Sequence, residues 1–157
     1  MALGKPSGAG MLQAVIVVIG VGLAVIGVRF WLQPQQAATF FGTGQVTVGG
    51  AYPTAWHDVV ALRDVWLGLL AAALGMLKEW RALALWFGLG TLVCFADAGI
   101  ATMAGAKPLS IGFHMGAGVL MAVVAVAAWR VSGRRSAIHC PGQNSHGGRS
   151  DRRSATG

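Results

Sequence analysis

Four apolar runs dominate the chain, over residues 11–32, 59–77, 82–106 and 109–129. Each is close to the roughly 20 residues needed to cross a hydrocarbon layer. A backbone inside lipid has no water to bond with and must satisfy its own N–H and C=O groups, which for single runs of this length means α-helices. The expected fold class is therefore an all-α membrane protein, a four-transmembrane-helix bundle. Only 11% of the residues are charged, against about 25% in soluble domains, and the mean hydropathy is +0.62. The expected organisation is a short leader at 1–10, a membrane domain at 11–130 and a disordered basic tail at 131–157, where Gly, Ser and Arg predominate without periodicity. The first run is longer than the 7–15 residues of a signal-peptide core and no small-x-small site follows it. A retained helix is expected, with a cleaved signal as the alternative.

The formal net charge is +7, and its distribution orients the chain. With both termini inside, the inner side holds Lys5, Lys78, Arg81, Arg130, Arg134, Arg135 and the distal arginines, and the outer side holds Lys107 with Arg29 and Arg63 near helix ends. The positive-inside rule then gives an N-in, C-in protein of the cell membrane. Trp31 and Trp56 fit the outer interface, Trp80 and Trp129 the inner one. The basic tail suits anionic lipid. A single tyrosine and six phenylalanines build no stacking platform, so the bilayer is the expected partner and nucleic acid is not.

The stretch from His57 to Gly68 breaks the apolar pattern with Asp58, Arg63 and Asp64 at the entrance of the second run. Charges inside a span cost about 2.5–3.5 kcal/mol each at the helix centre on insertion scales and mark functional positions by default. Arg29 lies about 5 Å below the outer end of the first run, Asp64 and His114 about 8 Å below theirs, and Asp97 about 13 Å below Ala106, near the midplane, at 1.5 Å per residue. The candidate site is thus an outer-half polar cluster of Arg29, Asp58, Arg63, Asp64, Asp97 and His114. Arg63 points about 100° away from Asp64 and is expected to serve a different neighbour, with Arg63 or Arg29 as the counter-ion of Asp97. Small residues recur at four-residue spacing at Gly20/Ala24, Gly68/Ala72, Ala71/Gly75, Gly112/Gly116 and Gly118/Ala122, a pattern for close helix packing. Gly68, Gly112 and Gly116 are the packing positions singled out.

Between the first two spans, residues 33–58 form a long connection that Pro34 opens and Gly42, Gly44, Gly49, Gly50 and Pro53 punctuate. It reads as a surface loop, with AATFF at 37–41 able to lie at the interface; connections of this length also serve as lids. Cys94 and Cys140 give no disulfide framework. His139, Cys140 and His146 match no zinc spacing and lack a fourth ligand. No metal and no cofactor is expected.

Pro34, Phe41-Gly42, Arg63-Asp64 with Gly68, Ala96-Asp97-Ala98 and His114 together resemble a family of small four-helix integral membrane proteins, domain of unknown function 4267, and more distantly DoxX-like membrane proteins. The resemblance covers about residues 15–129 and leaves the tail after Ser132 outside. It implies a four-helix membrane fold and supplies no activity.

Three functional readings stay open. The cluster can be a set of interhelical ion pairs that fix register, as in an accessory subunit with a homo-oligomeric or membrane-protein partner. It can bind or transport a small amphipathic molecule or a proton, with Asp97 as the ionisable site, Arg63 as counter-ion and His114 as relay or ligand contact. It can also serve an acid/base enzyme, an isomerase or cyclase acting on a lipid-like substrate through Asp97 and His114. No nucleophile motif or phosphate loop accompanies it, so an enzyme is the less favoured reading.

Overall fold

The computed structural model describes residues 8–41 and 55–138, and the side chains of all of these but 55–57 and 135–138. These residues form five helices: α1 (Gly8–Leu32), α2 (Pro34–Phe41), α3 (Ala55–Leu77), α4 (Trp80–Met103) and α5 (Pro108–Ile138). Four of them are long and apolar enough to cross a membrane. Their outward faces carry Val18, Leu62, Leu89 and Leu109, all 64–84% exposed. A soluble monomer does not present apolar area of this extent to water, and the chain is a multi-pass membrane protein.

The spans pack as two antiparallel pairs, α1 with α3 and α4 with α5. Small residues decide how close each pair comes. In α1/α3 a Cβ added at Gly20 would sit 2.7 Å from both Ala72 N and Gly68 O, and one at Gly27 would sit 2.7 Å from Ala61 O and Val65 N. The two backbones are therefore in direct contact over two turns, the arrangement that lipid, offering no hydrophobic drive between helices, rewards through dispersion alone. The α4/α5 seam is built from side chains instead: Phe95 lies against Gly118 and Met121 against Gly90. Gly112 and Gly116, expected among the packing positions, face open space with nothing within 4 Å. At 100° per residue Gly116 lies about 200° round the helix from Gly118, on the side of α5 away from α4.

The α3–α4 turn is tight. Lys78 adopts a left-handed φ of 59°, and Lys78 N and Glu79 N donate to the carbonyls of Gly75 (3.2 Å) and Leu74 (3.0 Å), closing α3 with a Schellman motif. Gly105, φ 71°, closes α4 in the same way through Thr102 O (3.1 Å) and, from Ala106 N, Ala101 O (2.9 Å). Beside the first turn lies the buried core: Ile16, Trp80, Leu83, Ala84, Phe87, Val124 and Ala128. Trp80 is only 4% exposed, so it is a core residue and not the interfacial anchor expected of it. The two pairs thus meet firmly at the end that holds the Lys78 turn.

At the opposite end the connection after α1 differs from the expected loop. Leu32 ends α1, Gln33 intervenes and Pro34 starts a new helix, the first-turn position where a missing N–H costs nothing. Ala37 and Ala38 are buried beneath α2. Residues 42–54, including the glycines taken as loop signals, lie outside the described residues. Helix α5 runs to Ile138, past the expected end of the fourth span at 129, so residues 131–138 are helical and the rest of the basic tail lies outside the described residues.

Gly68→Ala forces the α1 and α3 backbones apart and should cost about 1–3 kcal/mol, the usual range for overpacking. Gly116→Ala meets nothing and should be neutral or gain up to about 1 kcal/mol from helix propensity. Thermal unfolding of both variants in detergent checks the contrast.

Candidate functional site

Above the core the helix pairs enclose a cavity of about 760 Å³ lined by all five helices. On α4 the lining positions are Trp86, Gly90, Val93, Cys94 and Asp97, a run at i, i+4, i+7, i+8 and i+11 that traces one helix face. The corresponding faces of α1 and α5 bring Ile19, Leu23, Ile26 and Phe30, and Phe113, Ala117, Leu120 and Met121. The walls are mostly apolar. Polar groups gather toward the α2 end.

Five of the six expected cluster residues line this cavity: Arg29, Arg63, Asp64, Asp97 and His114. Asp58 does not. Asp97 stands six residues before Met103, the last residue of α4, and His114 six residues after Pro108, the first of α5, about 9 Å along each helix, whereas Asp64 stands nine residues, about 13 Å, from Ala55 at the start of α3. Helix α4 ends at Met103 and not at Ala106, so Asp97 stands six residues from the end of its helix and not nine. The sequence reading missed Cys94, Gln33, Gln36 and Phe41, which also line the cavity.

The charge pairing is also different from expectation. Arg63 Nε and Nη2 donate to Asp64 Oδ1 at 3.3 and 3.2 Å. The flexible guanidinium stem folds back along α3 and overrides the 100° between the two Cβ directions. This is the sole ion pair among the described residues, and it lies within one helix. Asp97 has no ion-pair or hydrogen-bond partner among the described residues; His114 and Arg63 stand within Coulombic range but do not touch it. Arg29, the other expected partner, makes no ion pair with a described residue either. The reading of the cluster as interhelical ion pairs therefore finds no pair between helices among the described residues.

Helix α2 roofs the polar end. Ser110, in the first turn of α5, shares its single hydroxyl proton between the carbonyls of Phe40 (2.9 Å) and Phe41 (2.7 Å), which a helix C-terminus leaves without partners of its own. The Phe41 ring stands edge-on to the buried His114 imidazole at 4.4 Å between centroids, and Phe40 does the same to Phe113 at 5.4 Å. His114 is thus packed by aromatic rings on one side and borders the cavity on another. At the deep end Trp86 holds its indole N–H buried with no acceptor among the described residues. Cys94 lies 4.0 Å from Met121 Sδ, a thiol among apolar neighbours. No group of three or more potential metal ligands occurs among the described residues.

Comparison with known proteins returns one family model, described as Domain of unknown function (DUF4267), matching residues 20–129. No curated protein and no solved structure matches.

Loss of one member of a buried ion pair costs about 3–5 kcal/mol because it strands the other charge. Asp97→Asn strands nothing, so thermal unfolding in detergent should show unchanged or raised stability. A drop of the size quoted for a broken pair would restore a structural role for Asp97.

Proposed function

The chain belongs to the DUF4267 family, which brings a frame and no activity, and on that premise we propose that it binds a small amphipathic molecule between its two helix pairs and holds it for transfer within or across the membrane. The cavity carries this reading. Its volume of about 760 Å³ falls in the 300–1,000 Å³ span of small-molecule sites, and such sites combine apolar walls with a few converging polar groups. An ionised carboxylate inside a lipid-embedded cavity with no contacting counter-ion is costly, and a cost of this kind is kept where function needs it. In this reading Asp97 is the ionisable contact, Arg63 is held back by Asp64, and His114 meets the ligand below the α2 roof.

A photoreactive dodecanol analogue added to the protein in phosphatidylcholine nanodiscs should label Leu120 and Met121 saturably. Ala117→Phe, which fills the space between them and α4, should remove most of that labelling while leaving any labelling of the lipid-facing Val18 and Leu62 unchanged. Equal labelling of the cavity residues in both proteins would overturn the reading.

The orientation belongs to the same proposal. Four spans put both ends of the chain on one side, and Lys5, Lys78, Arg81, Arg130, Arg134 and Arg135 against Arg29, Arg63 and Lys107 argue for a cytoplasmic location of the termini in the cell membrane. Cys140 should then resist a membrane-impermeant maleimide in intact cells, and a cysteine introduced by Lys107→Cys should react. The reverse pattern would invert the topology.

A further inference from the structure

We propose that the ligand of this cavity is a cationic amphiphile, an alkyl or aryl amine whose ammonium group meets Asp97, an inference that rests on the binding reading above and assigns it a substrate class. Four charged side chains line the cavity, and they are not equivalent. Arg63 and Asp64 neutralise each other through two contacts to one carboxylate oxygen. Arg29 is exposed and three residues from the end of α1, where a long cationic side chain reaches the headgroup layer along its own stem. Asp97 is the charge left over. It is partly buried, lies six residues inside its span and touches no cation among the described residues. His114 and Arg63 act on it from a distance, and a cavity carboxylate that no cation contacts is complementary to a ligand with one positive charge.

The surroundings fit the rest of such a molecule. Phe30, Phe41 and Phe113 line the cavity at the polar end, and aromatic faces attract ammonium groups. From Asp97 the lined face of α4 descends to Trp86, about 16 Å at 1.5 Å per residue. That depth suits an alkyl chain of dodecyl length, walled by Val93, Gly90, Leu120 and Met121, with the Cys94 thiol and the Trp86 indole N–H as the polar groups along it. The tail lies toward the core end and the headgroup under α2.

The test uses the full-length protein in phosphatidylcholine nanodiscs with the photoreactive dodecanol analogue as reporter and dodecylamine, dodecanol and dodecanoate as competitors. Partitioning into lipid differs among the three but is the same for wild type and variant, so the readout is the change in each midpoint between proteins. Asp97→Asn should weaken competition by dodecylamine about ten- to a hundred-fold, the worth of a charge-assisted bond, and leave dodecanol unaffected. Asp97→Glu should keep the preference for the amine, which separates loss of charge from a misfolded protein. Amine competition that survives Asp97→Asn would overturn the inference, as would dodecanoate competition abolished by Arg29→Gln; in both cases the cavity remains a binding site with another preference. Labelling that no competitor reduces would overturn the binding reading itself.

Discussion

The contact between the backbones of α1 and α3 at Gly20 and Gly68 governs the bundle. In lipid, apolar side chains gain nothing by leaving their surroundings, so helices associate where they can approach closely enough for dispersion to accumulate. Residues without a Cβ permit that approach between α1 and α3. Between α4 and α5 the rings and thioether of Phe95 and Met121 fill the seam, and the spacing is set by side chains. Each pair is thereby satisfied along its own length. Near the Lys78 turn the pairs join through large residues, where Trp80, Leu83 and Phe87 meet Ile16 and Val124. Above that layer the faces that the pairs turn to each other leave a gap, and the cavity is the space between them.

The same separation explains the electrostatics. Had the pairs closed along their whole length, the carboxylate on α4 would have come against the guanidinium groups of α1 and α3. With the pairs apart, Arg63 finds its anion one residue away on its own helix, and Asp97 is left facing the opening. A local ion pair on α3 and an uncompensated acid on α4 follow from one packing fact.

Much of this was legible in the chain. Apolar runs of about the thickness of a bilayer gave the four spans, and the spacing at Gly20, Gly68 and Gly75 marked real seams. The depth of Arg29, Asp64 and His114 brought five charged or ionisable residues to one cavity. Other features depended on information that spacing does not carry. Gly112 and Gly116 have the same four-residue interval as the seam glycines, but the interval does not say which side of α5 meets a neighbour. The direction of a Cβ does not fix where an arginine's terminal nitrogens go, so Arg63 was assigned away from the partner it has. The apolar run extends to Ala106, whereas Gly105 closes α4 after Met103, which brings Asp97 three residues nearer the end of its helix. Pro34 marks the end of α1, and it also starts α2, since proline is at home in a helix's first turn; PQQAATFF has too few positions for a periodicity to outweigh the glycines that follow.

Helix α5 has 31 residues and is about 46 Å long, against a hydrocarbon layer of about 30 Å. Lys107 precedes it, and Arg130 and Arg134 stand near its far end, so cationic side chains flank its apolar stretch on both sides. A thinner or thicker bilayer must then be met by tilt. Because Ser110 ties the first turn of α5 to the last carbonyls of α2, tilt at one end of this post displaces the roof of the cavity at the same end.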